Sequence, residues 1–266
     1  HKLLQKGQAY EAILLTGIGG LAATIILIAI SFPSIILIPK AYSVIKKALP
    51  YLLILASALL ILLEKRKLPA MLVFFLTGTL GLCVLNLKSL NQPLLPLLTG
   101  LFGGSVLVMS IKNKVKIPKQ KITEPKLKSI RPFIGAALAA PICSFLPGLG
   151  SGQAAILGST ISKTDDKEFL ALLGATNTLV MGFSFISLYT ISKTRTGAAA
   201  AIKSIIGIPS AKIIGLVIAT CALTSLIAFR LTKVLARTFV KKIQNIKYTS
   251  LSIATLLILS LIILLI

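Results

Sequence analysis

The chain has 266 residues, of which 56% are apolar and 13% charged, and 29 Lys and Arg against six acids leave a formal net charge of +23. A charged fraction near half the roughly 25% of soluble domains and a mean hydropathy of +0.96 exclude an ordinary soluble domain. The cations stand in short blocks between long apolar runs, which suits cytoplasmic loops facing anionic lipid and not a nucleic-acid surface.

Seven runs are expected to span the bilayer: 12–38, 50–63, 68–87, 93–111, 169–191, 211–229 and 248–266. Pro33 is expected to kink or end the first, and the short second run either to start nearer Val44 or to be partly shielded by neighbours. Between the fourth and fifth lies an interrupted pair, 133–146 and 154–161, each half too short for a crossing of about 20 residues. The connections 112–131 and 230–247 are basic, so both should face the cytoplasm. That holds if the pair 133–161 enters and returns as a re-entrant hairpin, and fails if it crosses once. Lys40, Lys46 and Lys47 then fall outside, against the rule. The expected organisation is an all-α polytopic membrane protein of about seven spans plus one hairpin. It divides into an N-terminal bundle (1–111), a flexible basic connection (112–132) and a second half (133–266) with hairpin 133–162. The opening at His1, without Met or a signal pattern, reads as a fragment or a removed start.

Phe145-Leu-Pro-Gly-Leu-Gly-Ser-Gly-Gln153 interrupts the hairpin and carries the strongest functional signal. Non-helical backbone at membrane depth is tolerated where protein buries it or it lines a wet cavity, and Gly/Pro-broken segments mark transporter sites. Pro147, Gly148, Gly150 and Gly152 are expected to expose backbone N–H groups at the start of a half-helix, with Ser151 and Gln153 as side-chain donors. Those groups suit an anion such as a carboxylate; the competing reading is a plain turn at a loop tip. Asn177 and Ser184, with Ser187, share one face of span 169–191 and are expected to line a wet cavity or bond a neighbouring helix. Arg195 and Lys193 read as a solvated exit loop or an anion-attracting vestibule. Asp165, Asp166 and Glu168 read as a helix N-terminal cap in preference to a cation site. Glycines at 17, 19, 20, 78, 81, 100, 103 and 104 are expected to serve close helix packing.

Nothing here makes an enzyme. His1 is the single histidine, Cys83, Cys143 and Cys221 are scattered without metal or redox spacing, and no P-loop supports ATP-driven transport.

The core Leu146-Pro-Gly-Leu-Gly150 resembles the glycine-rich PGxG motif of the large membrane subunit of tripartite tricarboxylate transporters, the TctA family. The opening His1–Ala12 with Thr16-Gly17 and Gly19-Gly20, and Gly174-Ala-Thr-Asn-Thr178 continuing to Leu188–Ile191 and Thr194–Ala198, are similar to its archaeal branch. The resemblance implies a two-halved carrier with one PG motif per half, of which one is visible, the other expected in an absent N-terminal segment. It implies uptake of carboxylates alongside a small membrane subunit and an extracellular binding protein. The reading is therefore a multi-pass cell-membrane permease for organic anions, with no cofactor beyond a coupling Na⁺ or H⁺. Membrane lipid and the anion are its partners. Alternatives are a carrier of phosphorylated or lipid-linked anions and a non-transporting membrane scaffold.

Overall fold

A computed structural model describes residues 2–64, 66–87, 94–112, 118–127, 129–145, 149–243 and 248–265. Among them, all regular structure is helical: α1 (Lys2–Gln5), α2 (Ala9–Leu63), α3 (Lys67–Leu85), α4 (Leu94–Leu98), a π-helical turn (Thr99–Gly104), α5 (Ser105–Lys112), α6 (Arg131–Phe145), α7 (Ser151–Ser162), α8 (Asp166–Ile191), α9 (Gly197–Ile206), α10 (Ala211–Ile243) and α11 (Tyr248–Leu265). Among the described residues, four stretches are long and apolar enough to cross a membrane: Ala9–Lys40, Lys67–Leu85, Asp166–Ile191 and Ala211–Lys242.

Pro33 neither ends α2 nor separates 12–38 from 50–63, and the helix continues through both. A membrane helix tolerates proline when hydroxyls satisfy nearby carbonyls. Beside Pro33, Ser31 Oγ donates to Ile28 O and Ser34 Oγ to Ile30 O, adding bonds next to the Ala29 carbonyl that the missing N–H of Pro33 leaves without its helical donor. The basic stretch after 229 is likewise no loop at first, because α10 stays helical to Ile243. The span expected at 93–111 contains the π-helical turn around Gly100, Gly103 and Gly104.

The residues fall into two compact units, His1–Leu49 with Lys119–Lys241, and Pro50–Pro118 with Lys242–Ile266. Residues 1–49 thus group with 119–241 in the first unit.

In the first unit α2 and α8 cross backbone to backbone. A Cβ on Gly19 would collide with Ala171 O, and one on Gly174 with Thr16 O, so only glycine permits this approach. Around the crossing lies the core of Ala23, Leu27, Leu172, Ala175, Leu179 and Phe183, joined by Ala136 and Ala140 of α6 and Ala155 of α7. Lys167, in the first turn of α8, pairs at 2.6 Å with the buried Glu11 of α2. A second cluster joins Ala9, Tyr10 and Leu14 to Ala236 and Val240 of α10.

The tract expected to be flexible is pinned over 119–124. Gln120 is buried; its Oε1 accepts from Ala9 N–H at the start of α2 and its Nε2 donates to Leu4 O, both at 3.0 Å. Lys121 N–H donates to Gly7 O at 2.7 Å. Gly7 takes φ +76, and a Cβ there would lie 2.6 Å from Lys119 O, so glycine is required twice over. Glu124 then meets Lys233 and Arg237 of α10, both at 3.1 Å, and Arg237 Nε donates to Tyr10 Oη at 3.0 Å.

In the second unit α5 packs on α11. No residue of α3 is buried. Gly78, Gly81 and Gly100 have no described atom within 4 Å of a would-be Cβ, so the packing role expected for them is not met.

Candidate functional site at the α6–α7 break

The interrupted pair forms an antiparallel hairpin. Gly135, in the second turn of α6, and Gly158, in the last turns of α7, touch backbone to backbone: a Cβ on either would lie 2.6 to 2.8 Å from the other's carbonyl oxygen. The outer ends at Arg131 and Ser162 are therefore neighbours, and both half-helices pack on α8.

Of the expected tip residues, Pro147 and Gly148 lie outside the described residues. Gly150 is the N-cap of α7, with φ −116 and ψ −167, extended backbone open to any residue. A Cβ there would meet only Gln153 Oε1 at 3.5 Å, and at Gly152 nothing within 4 Å. Turn geometry thus does not account for these two glycines; what they leave is uncovered backbone. Gln153 Oε1 accepts from Gly150 N–H at 3.0 Å, so this side chain caps the helix through its oxygen. Ala154 N–H donates to Gly150 O at 3.1 Å, the first intrahelical bond. The N–H groups of Ser151, Gly152 and Gln153 find no partner among the described residues, as for any helix start without a full cap. Gly152 and Gln153 are exposed, Ser151 half-buried. The positive end of the α7 dipole points at the break, worth about 0.3–1 kcal/mol to an anion when exposed and up to about 2 when partly buried. The sequence holds no acid from 125 to 164 and none after Glu168.

Ser184 does not line an open site. It is fully buried, and its Oγ accepts from Arg195 N–H, Thr196 N–H and the Thr196 hydroxyl, each at 3.0 Å. Thr196 in turn caps α9 by accepting from Ala199 N–H. This one hydroxyl therefore ties down the α8–α9 loop. The loop brings in a group that spacing alone underrated: Arg195 Nε donates at 2.9 Å to Ser144 O, in the last turn of α6. The guanidinium so placed meets the negative end of the α6 dipole beside the break. Burial holds Arg195 below its ordinary pKa, with Tyr42 acting the other way. Lys193 lies over the Tyr42 ring, 5.2 Å from its centroid.

Asn177 is exposed, although it sits on the same azimuth of α8 as Ser184. The α8–α9 loop covers the helix at Ser184 and not two turns earlier. Asn177 instead lines a cavity of about 360 Å³ with Thr24 and Leu27 of α2, Thr178, Met181 and Gly182 of α8, and Cys221, Thr224, Ser225 and Ala228 of α10. The acid cluster is a cap. Asp165 Oδ1 accepts from Lys167 N–H at 2.8 Å and Glu168 N–H at 2.7 Å, while Glu168 accepts from Asp165 N–H at 3.2 Å.

The sequence model of the Tripartite tricarboxylate transporter TctA family matches residues 1–266. The chain is also similar to an uncharacterized protein of Methanocaldococcus jannaschii, 31% identical over 210 residues, which are 76% of this chain and 53% of that protein. The chain thus spans about half the length of this curated relative. No solved structure matches it. Its apolar helices make it a multi-pass membrane protein, and the match along its whole length places the chain in the TctA family of tripartite tricarboxylate transporters.

Proposed function

We propose that this chain is the permease part of a secondary transporter for organic anions, di- or tricarboxylates, with the α6–α7 break forming part of the substrate site. Membership of the TctA family supports the transporter class. The observation that carries the anion site is the uncovered first turn of α7: N–H groups of Ser151, Gly152 and Gln153 at a positive dipole end, with no acid on either half-helix. Pro147 and Gly148 complete this tip by their place in sequence. Oriented dipoles at a half-helix start stabilise a carboxylate. Asn177 adds an uncharged amide from the neighbouring span. The driving force is a Na⁺ or H⁺ gradient, and a small membrane subunit and an extracellular binding protein are the partners the family's tripartite organisation supports. The hairpin is re-entrant, its two outer ends on the cytoplasmic side with 112–131 and 230–247.

Thermal stabilisation of the purified full-length protein in nanodiscs tests this, with citrate, succinate, acetate, inorganic phosphate and spermidine compared. Ligand at 100 times its Kd adds about 2.7 kcal/mol to stability. Citrate or succinate should raise the melting temperature, and Gly150→Val should abolish the rise while leaving the unliganded melt in place. Stabilisation by spermidine with none by any organic anion would overturn the proposal.

A further inference from the structure

We infer that the last third of α10 is an interfacial helix that binds an anionic phospholipid, through the cationic row Arg230, Lys233, Arg237 and Lys241 and an exposed apolar stripe beside it. The inference goes beyond the transport reading and does not depend on it. Length is the first ground. α10 has 33 residues, about 50 Å at 1.5 Å per residue, whereas a crossing needs about 20 residues. Its charge-free stretch runs from Ile213 to Phe229, so the surplus is the end that begins at Arg230. That end is helical, which gives its side chains fixed faces. Ala236 and Val240 are buried against Tyr10 and Leu14. On one flank of this buried face, Arg230, Lys233, Arg237 and Lys241 recur every three or four residues and so form a row. On the other flank stand Leu231, Leu235 and Phe239, which are 55%, 51% and 63% exposed. An apolar stripe left open beside a row of cations suits the boundary between headgroups and acyl chains.

The second ground is charge. Lys233 and Arg237 share the single carboxylate of Glu124, so these three groups keep a net positive charge. Arg230 and Lys241 are exposed and have no ion pair among the described residues. The sequence holds no acid after Glu168, so α10 supplies none to quench the row. The third ground is placement. Glu124 ties α10 to a tract that also carries the exposed Lys121 and Lys126. Gln120 fixes that tract on Leu4 and Ala9, and Lys121 N–H fixes it on Gly7. The backbone under these cations is therefore set before any ligand arrives, which lowers the ordering cost of binding. A phosphodiester headgroup takes the cations, and acyl chains lie along Leu231, Leu235 and Phe239. Free phosphate would satisfy the row and leave the stripe in water. A zwitterionic lipid brings an ammonium that the row repels. Both features are met by a phospholipid whose headgroup is net negative.

The test is native mass spectrometry of the purified full-length protein in a neutral detergent, titrated with phosphatidylglycerol, phosphatidylcholine or glycerol phosphate. Wild type is compared with Arg230→Gln/Lys241→Gln, with Leu235→Gln/Phe239→Gln, and with Lys46→Gln/Lys47→Gln, which removes the same charge from exposed positions on α2. Wild type should bind phosphatidylglycerol more tightly than phosphatidylcholine. Arg230→Gln/Lys241→Gln should weaken phosphatidylglycerol by about 30-fold, roughly fivefold per cation, and leave phosphatidylcholine unchanged. Leu235→Gln/Phe239→Gln should weaken both lipids, and the α2 control should stay within about threefold of wild type. Equal affinity of wild type for the two lipids would overturn the inference. So would phosphatidylglycerol affinity of Arg230→Gln/Lys241→Gln matching the α2 control, or glycerol phosphate binding as tightly as phosphatidylglycerol. Should a variant melt below wild type in the detergent, cross-linking of a photoactivatable phosphatidylglycerol to wild type decides. Adducts within 231–239 support the inference, and adducts confined to other segments overturn it.

Discussion

Replacing Gly174 by Ala tests the α2–α8 crossing on which the first unit is built. The added Cβ would overlap Thr16 O and lie 2.7 and 2.8 Å from Thr16 C and Cα. All three are backbone atoms, so no rotamer change relieves the clash and the helices must separate. Overpacking of a tight core costs typically 1–3 kcal/mol, and a clash with rigid backbone belongs near the top, about 3 kcal/mol. At about 2–4 °C per kcal/mol for a domain of this size, the melt should fall by roughly 6–12 °C. Gly152→Ala is the control: a Cβ there has nothing within 4 Å, and alanine is the better helix former by about 1 kcal/mol. Melting in one detergent, followed by intrinsic fluorescence, compares both with wild type. A Gly174→Ala melt within about 2 °C of wild type would refute the backbone crossing.

Asp165→Ala removes the acceptor for two N–H groups at the start of α8 and should destabilise by about 1 kcal/mol, read as a lower melt; an unchanged melt would show that the cap is spare. The hydrogen bond from Lys233 is the largest influence on Glu124; desolvation opposes it, and the charge of Lys233 with the hydrogen bond and charge of Arg237 bring the carboxyl below its ordinary value of 4.5. A depressed carboxylate stabilises above its unfolded pKa and loses that stabilisation as pH falls through the folded value. The melt difference between wild type and Glu124→Gln should be level above pH 4.5 and vanish on further acidification; a difference that stays level through that range contradicts the clamp. In a cysteine-free background, Ser129→Cys, Lys163→Cys and Lys242→Cys should all label from the cytoplasmic side. Labelling of Ser129→Cys and Lys163→Cys from opposite sides would make the hairpin a single broken crossing.

Much of this architecture was readable from local chemistry. Apolar length marked the spans, and the Asp165–Glu168 spacing marked the start of α8. Charge placement argued for a hairpin, and Gly135 and Gly158 now hold its limbs together. Long-range pairing was not readable. Pro33 looked like a break because it removes one helical bond, and composition does not show that α2 runs on through the loss. The 119–124 tract looked like a loose linker because its partners, at Leu4, Ala9 and α10, are more than a hundred residues away. Ser184 and Asn177 looked equivalent because helical spacing fixes azimuth and not what covers each level. Arg195 looked like an exit loop because nothing local reveals that α6 ends beside it.

The most direct measurement is a structure of the protein with citrate bound. Density for a carboxylate within hydrogen-bond reach of the Ser151, Gly152 and Gln153 N–H groups is the expected result. Citrate seated in the cavity beside Asn177, Thr24 and Thr224, with the start of α7 unoccupied, would contradict the proposed site.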